Sequence, residues 1–123
     1  EYPIHAVINK QALIDAIKRV SLVAERNAPI RMVFSGQELT LSAGTADEAQ
    51  AKEILDIDMD GEDITVAFNP SYLVDGLSAI SEPFVRMKMT TAVKPVEFNG
   101  QQESNSEESM DYRYLLVPMR FNS

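Results

Sequence analysis

The stretch HAVINKQALIDAIKRVS (residues 5–21) reappears in altered form as TVAFNPSYLVDGLSAIS (residues 65–81). Asn69 matches Asn9, so the offset is 69 − 9 = 60 residues, and no gap is needed. Leu73 matches Leu13 and Asp75 matches Asp15, with apolar residues aligned between them. An internal repeat of this length indicates one supersecondary unit that is built twice.

Each copy predicts a short strand, an asparagine that caps a helix, the helix itself, and three further strands. Asparagine is a favoured N-cap, and Pro70 stands at the first helical position of the second copy, where its missing N–H costs nothing. The predicted strands are residues 4–8, 30–34, 39–43 and 50–57, then 64–68, 84–89, 93–98 and 112–119. This duplicated β-α-β-β-β order predicts an α+β fold in which two helices pack side by side on antiparallel sheets.

The composition describes one globular domain. The chain has 123 residues, 45% of them hydrophobic and 24% charged, and its apolar runs are far shorter than a membrane span. The absence of cysteine excludes disulfides, and the start of the chain lacks the pattern of a signal peptide. We therefore expect a cytoplasmic protein. Because the first residue is Glu1 rather than methionine, we also expect a piece of a longer chain.

The net charge of −8 argues against phosphate binding unless the few basic residues are gathered on one face. On a helical wheel at about 100° per residue, the apolar residues of the first helix gather on one side. Lys10, Lys18 and Arg19 lie on or near the remainder of this helix, where a solvated face is the simplest reading. Leu22 falls within the polar face, so it is either at a frayed helix end or covered by another surface.

Three further signals are weaker. DIDMDGED (residues 56–63) copies the opening of an EF-hand loop, but Ala67 stands where the loop needs glutamate, so we predict a turn between the halves. His5 is the only histidine and lacks a partner for a zinc site or a catalytic triad. Asp15 and Asp75 are related by the repeat, and solvated helix positions explain them. We predict neither a metal nor a cofactor.

These residues resemble a known family. The duplicated unit, FNPSYLVDGL (residues 68–77), VRMKM (residues 85–89) and the terminal YLLVPMR (residues 114–120) are similar to the C-terminal, third domain of bacterial sliding clamps, the β subunits of DNA polymerase III. The resemblance covers essentially the whole chain. It implies the DNA-clamp fold for residues 1–123, with internal halves of about 1–60 and 61–123.

The resemblance also implies a processivity factor of DNA replication that is not itself an enzyme, although the family is catalogued with the polymerase activity of the holoenzyme. Three such domains form a subunit, and two subunits close into a homodimeric ring around duplex DNA. Helices line the hole, so Lys10, Lys18 and Arg19 would face phosphates. Leu22 and Val23, at the end of the first helix, would pack against the first domain of the neighbouring subunit.

In the family, the polymerase III alpha subunit, the clamp loader and other proteins with a clamp-binding motif dock a short apolar peptide in a groove beside the C-terminal strand. Apolar side chains, methionine among them, give an adaptable surface for such a peptide. By resemblance, this domain's part of the groove comprises Asn69, Tyr72, Val93, Pro95, Leu115, Leu116, Val117, Pro118, Met119, Arg120 and Phe121. Val93 and Pro95 would lie on the adjoining strand.

The alternation of side chains along a strand predicts two faces for the terminal strand. Tyr114, Leu116 and Pro118 would share one face, and Leu115, Val117 and Met119 the other, so that one face enters the core while the other lines the groove. Because proline cannot donate a ladder hydrogen bond, residues 119–121 would remain free at the mouth of the groove.

Two other functions stay open from the sequence. The first is a peptide-binding adaptor of the same fold that forms no ring. The second is a hydrolase or transferase that uses Asp15 and Asp75, against which the lack of a nucleophile–base arrangement weighs.

Overall fold

The helices and strands follow the order that the repeat predicts, with one additional short strand between the two halves. The computed structural model describes residues 2–22, 28–43, 51–103 and 108–119. In chain order, the elements of this part are β1 Ile4–Asn9, α1 Lys10–Leu22, β2 Ile30–Ser35, β3 Glu38–Ala43, β4 Lys52–Asp56, β5 Asp58–Asp60, β6 Ile64–Phe68, α2 Pro70–Ser78, β7 Phe84–Met89, β8 Val96–Gln101 and β9 Glu108–Leu116.

The strands form two antiparallel sheets that exchange one strand between the halves. One sheet has the order β5-β1-β7-β8-β9 and the other β4-β3-β2-β6, so the first strand of each unit lies in the sheet of the other unit. The pairing registers are equivalent: Ile30 lies opposite Phe68, and Val85 lies opposite Ile8. The predicted duplication and the α+β class are therefore confirmed, and the two halves are intertwined rather than side by side.

Both helices begin at the predicted asparagine caps. The side-chain oxygen of Asn9 accepts a hydrogen bond from the N–H of Ala12 at 2.9 Å. The corresponding oxygen of Asn69 accepts from the N–H groups of Ser71 and Tyr72, at 2.9 and 3.3 Å. These bonds satisfy backbone donors that the first turn of a helix leaves without partners.

The core is built from the apolar stripes of both helices and the inner faces of both sheets. Leu13, Ile17, Leu73 and Leu77 are buried, and the helices lie in contact with each other. The rings of Phe68 and Phe98, from different sheets, meet edge to face with 5.8 Å between their centroids. The strand methionines Met32, Met87 and Met89 are fully buried and belong to this core.

The link between the halves differs from the prediction. The strand expected at 50–57 is β4, and a further strand that was not predicted, β5, follows it and lies in the other sheet. Half of the predicted turn over 56–63 is strand, because β5 pairs with β1 and the side-chain amide of Gln37 bonds both the N–H and the C=O of Met59. The chain turns at Gly61, whose φ of +112° is open to glycine but strained for other residues.

The last hairpin also begins and ends at other residues than expected. β8 starts three residues later than predicted and runs through Gln101, and β9 starts at Glu108 and ends at Leu116. Two contacts keep the polar residues of β8 in the sheet: the Nε of Arg86 donates to the Oε1 of Gln101 at 2.8 Å, and Lys88 pairs with Glu97 at 3.2 Å. Polarity was therefore a poor guide to where this strand stops.

Candidate functional site

The two sheets approach each other where their edge strands, β6 and β9, meet the start of α2. Past β9, the backbone N–H of Met119 donates to the carbonyl of Ala67 in β6 at 2.7 Å. Ala67 lies two residues before the helix cap Asn69. Residues 117–119, called here the terminal segment, therefore lie against the entry into α2.

The two faces predicted for the C-terminal stretch are confirmed. Tyr114 and Leu116 pack on the core and Pro118 is buried, whereas Leu115, Val117 and Met119 are exposed. Val117 has 63% of its surface exposed, an unusual fraction for a valine beside a core. The exposed face is thus an apolar surface that nothing in the described part of the chain covers.

The terminal segment departs from the prediction in one respect. Residues 119–121 were expected to lie free because Pro118 limits pairing within the sheet of β9. Met119 instead bonds to the other sheet, through Ala67. Pro118 limits the pairing of the chain within the sheet of β9, and the next residue, Met119, donates its hydrogen bond to β6 of the other sheet. Arg120 and Phe121 lie outside the described residues.

Tyr72 completes this junction from the helix side. It occupies the first turn of α2, with 59% of its surface exposed. Its carbonyl accepts a hydrogen bond from the hydroxyl of Tyr114 at 3.1 Å. An exposed aromatic ring with a polar tip therefore lies on the first turn of the helix that follows Ala67, the residue bonded to Met119, and such a ring suits an apolar peptide.

Val93 and Pro95 are not on a strand, contrary to the prediction. They lie in the turn before β8, where the N–H of Val93 is 3.4 Å from the hydroxyl of Thr91. Pro95 has no N–H to give to a ladder, so the strand begins only at Val96. Val96 lies opposite Leu116, the last residue of β9, so this turn and the terminal segment lie at the same end of the sheet. Val93 is exposed there.

Two of the three basic residues predicted to face phosphates are engaged within the chain. The ammonium group of Lys10 donates to the carbonyl of Ile80. Arg19 forms a two-bond ion pair with Glu53 of β4, at 3.0 and 3.2 Å. Lys18 is exposed. The positive charge that this helix offers to solvent is therefore smaller than the sequence suggested.

The Arg19–Glu53 pair shifts both titrations. The hydrogen bond to Glu53, followed by the charge of that carboxylate, raises the pKa of Arg19. The hydrogen bond from Arg19 lowers the pKa of Glu53 below its ordinary value of 4.5. A carboxylate with a lowered folded-state pKa stabilises the fold above its ordinary pKa and loses this contribution as the pH falls through the lowered value. The pair is thus formed at neutral pH.

Leu22 is exposed, as its place on the helical wheel predicted. With 83% of its surface accessible, it is the most exposed large apolar residue among those the structure describes. It borders an open recess of about 570 Å³ between the end of α1 and the start of α2, whose apolar walls include Ile17, Pro70 and Val74. Val23 lies outside the described residues.

The aspartates related by the repeat do not form a catalytic arrangement. Asp15 accepts a hydrogen bond from Gln11 at 2.9 Å, one helical turn away, and Asp75 is exposed. Within the described ranges, no three carboxylate or imidazole side chains converge as metal ligands. The hydrolase or transferase that would use Asp15 and Asp75 therefore finds no support in the geometry of these two residues.

Sequence reasoning missed two residues of the junction. Tyr114 was assigned to the core face, but its bond to Tyr72 was not foreseen. Gly76 of α2 was not singled out, although an isolated glycine in a helical pattern lowers helix stability and often signals close packing. A Cβ at Gly76 would overlap the ring of Tyr114. Gly76 was therefore the residue from which the sequence could have predicted the close packing of α2 against Tyr114.

The fold and this site define a class of protein: a duplicated two-sheet domain of the DNA-clamp type, with an exposed apolar surface where its sheets meet. Residues 1–120 match the protein family described as "DNA polymerase III beta subunit, C-terminal domain". The chain belongs to this family. It is 44% identical over 117 residues to the beta sliding clamp of Streptomyces coelicolor, covering 95% of this chain and 31% of that protein. It is 34% identical over 122 residues to a beta sliding clamp homolog, GriR, of Streptomyces muensis, covering 99% of this chain and 33% of that protein.

Solved structures of clamps have the same fold. The beta subunit from the DNA polymerase of Streptococcus pyogenes superposes with a TM-score of 0.83 at 28% identity, over 98% of this chain and 32% of that one. The sliding clamp of Pseudomonas aeruginosa bound to griselimycin gives a TM-score of 0.86 at 24% identity, over 98% of this chain and 31% of that one.

The chain spans about a third of the length of the relatives that it matches. Across the described ranges, no helix is long and apolar enough to cross a membrane.

Proposed function

We propose that this chain is the third domain of a cytoplasmic sliding-clamp subunit, a processivity factor of DNA replication that has no catalytic activity of its own. Residues 1–123 form the domain, with halves of about 1–60 and 61–123. The complete subunit forms a homodimeric ring around duplex DNA. It docks the polymerase III alpha subunit, the clamp loader and other proteins that carry a clamp-binding motif.

The observation that carries this proposal is the exposed apolar junction between the sheets. Val117 and Met119 lie on the open face of the terminal segment, and Tyr72 is exposed on the first turn of α2, the helix that follows the strand bonded to Met119. A surface of aliphatic, thioether and aromatic groups recognises a short apolar peptide. Val93, Pro95 and Leu115 extend the surface at the same end of the sheet, and Arg120 and Phe121 follow it in the chain.

The charge distribution supports encirclement rather than tight binding of DNA. The chain carries a net charge of −8, and both Lys10 and Arg19 have partners within the domain. Non-specific DNA binding depends on many phosphate contacts. This domain offers few, so retention on DNA comes from the closed ring. Lys18 makes the main contribution of α1 to a mildly basic inner surface.

A pair of reciprocal substitutions in the full-length protein tests the proposal. Val117→Asp places a charge in the peptide surface, whereas Leu22→Asp places one at the proposed subunit boundary. The probe is a fluorescent peptide that contains the clamp-binding motif of the polymerase III alpha subunit. We expect Val117→Asp to abolish peptide binding and leave the dimer intact by sedimentation velocity. We expect Leu22→Asp to yield monomers that still bind the peptide.

Each variant is the matched control of the other, because both replace an exposed aliphatic residue with aspartate. Thermal unfolding checks that both remain folded. If Val117→Asp binds the peptide with the wild-type affinity, the assignment of the peptide groove to this surface is wrong. If Leu22→Asp remains a dimer, the end of α1 is not part of the subunit boundary. A wild-type protein that binds peptide but sediments as a monomer would indicate the adaptor without a ring.

A further inference from the structure

Tyr114 connects the C-terminal strand to α2. It lies on β9, opposite Phe98 of β8, and its ring packs beside that of Phe98 with 6.0 Å between the centroids. From there its hydroxyl reaches the first turn of α2 and donates to the carbonyl of Tyr72 at 3.1 Å. One side chain thus contacts a core aromatic ring at its base and the helix backbone at its tip.

Gly76 makes room for this ring. It lies one helical turn after Tyr72, so the two residues share a face of α2. A Cβ at position 76 would overlap three carbons of the Tyr114 ring. Glycine in a helix interior is less favourable than alanine, so its presence has a packing reason here. The missing side chain lets β9 and α2 approach more closely than any other residue would permit.

The contact between Tyr114 and Tyr72 matters for the proposed peptide surface because it joins two parts of that surface, the first turn of α2 and the C-terminal stretch. Tyr72 is on the helix, and the terminal segment begins three residues after Tyr114 on the strand. The second tie between the same two parts of the fold is the bond from Met119 to Ala67. Both ties join the C-terminal stretch to the β6–α2 connection, and together they set how far Tyr72 stands from Val117.

We infer that Tyr114 is a positioning residue of the peptide surface, which it serves by fixing the first turn of α2, with Tyr72, against the terminal segment; Gly76 is the residue that admits it. The inference rests on the proposed function. Tyr114 faces inward and does not itself touch a bound peptide. Its effect on binding is transmitted through the Tyr72 backbone.

Two substitutions in the full-length protein test this inference. Tyr114→Phe removes the hydroxyl and keeps the ring, and Gly76→Ala pushes the ring away from the helix. The matched control is Tyr2→Phe, which removes a hydroxyl before β1, outside this junction. Affinity is measured with the same fluorescent motif peptide, at a temperature where all variants are folded. Ring resonances of ¹³C-labelled Tyr72 report the position of the helix turn.

We expect Tyr114→Phe to bind the peptide about two- to tenfold more weakly, the factor that corresponds to one ordinary hydrogen bond. The Tyr72 resonances should shift, and Tyr2→Phe should match the wild type in both readouts. Gly76→Ala should weaken binding more than Tyr114→Phe does, although alanine favours the helix. A purely structural role would instead lower the unfolding midpoint of Tyr114→Phe and leave its affinity and the Tyr72 resonances unchanged, and this result would overturn the inference.

The two proposals fail differently. If the wild type does not bind the peptide, or if Val117→Asp binds it normally, the groove itself is wrong. If the wild type binds, Val117→Asp does not, and Tyr114→Phe and Gly76→Ala bind like the wild type, then only the role of Tyr114 is wrong.

Discussion

Asn9 and Asn69 occupy equivalent positions in the two halves, yet only one of them lies near the exposed apolar surface. Each caps its helix through its side-chain oxygen. Asn69 stands between Ala67, which holds the terminal segment, and Tyr72, whose N–H it also accepts. The repeat therefore supplies an internal control for the part that the cap plays in binding.

We predict that Asn9→Ala and Asn69→Ala each lower the free energy of unfolding by about 1 kcal/mol, the usual contribution of an N-cap. Only Asn69→Ala should also weaken binding of the motif peptide, because the first turn of α2 carries Tyr72. Urea unfolding and peptide titration of the full-length protein measure the two effects. Equal losses of affinity in both variants would show that the cap acts through stability alone.

For single residues, the sequence predicted interactions well when they depend on residues nearby in the chain. Both caps and the buried methionines follow from residue type and spacing. The partners of Arg19 and Lys10 do not, because Glu53 and Ile80 are 34 and 70 residues away along the chain. A basic residue on a helical wheel looks available to phosphates until the fold brings a carboxylate or a carbonyl beside it.

The strands β1 and β6 hold the two halves together. β1 pairs with β7 of the second half, and β6 pairs with β2 of the first. If each half is taken alone, its second strand loses one of two partners, and its helix loses the contact with the other helix. A chain of about 60 residues is marginal even with a complete core.

We therefore predict that fragments 1–61 and 62–123, separated at the turn after Gly61, are unfolded alone and fold when mixed. Circular dichroism with thermal unfolding would show no cooperative transition for either fragment and a single one for the equimolar mixture. A cooperative transition in one fragment by itself would mean that the repeat marks two independent modules.

Element boundaries were predicted well where the hydrophobic period is strong and poorly where polar residues are held in a sheet. The strands β1, β2, β3, β6 and β7 begin and end within one residue of their predicted bounds. Gln101 extends β8 beyond its apolar residues because Arg86 on the next strand binds it, and Lys88 pairs with Glu97 within the strand. The split of β4 from β5 depends on Gln37, a contact across the chain that no local pattern reveals.

The chain is acidic as a whole, yet the function proposed for it is to hold the replication machinery on DNA. A net charge of −8 argues against a binding mode that depends on many phosphate contacts. The ion pair between Arg19 and Glu53 further reduces the positive charge that the domain can present to phosphates. These features fit the proposed ring, in which three such domains in each of two subunits would surround the duplex.

Retention of the full-length protein on circular and linear DNA tests this claim most directly. The protein is placed on a nicked circular duplex by the clamp loader of its own organism, separated from free protein by gel filtration, and followed after a restriction enzyme opens the circle. We predict that it stays on the circle and leaves once the DNA has ends, and that fragment 1–123 binds neither form with submicromolar affinity at physiological salt. Equal retention on circular and linear DNA would contradict encirclement and show that charge contacts hold the protein instead.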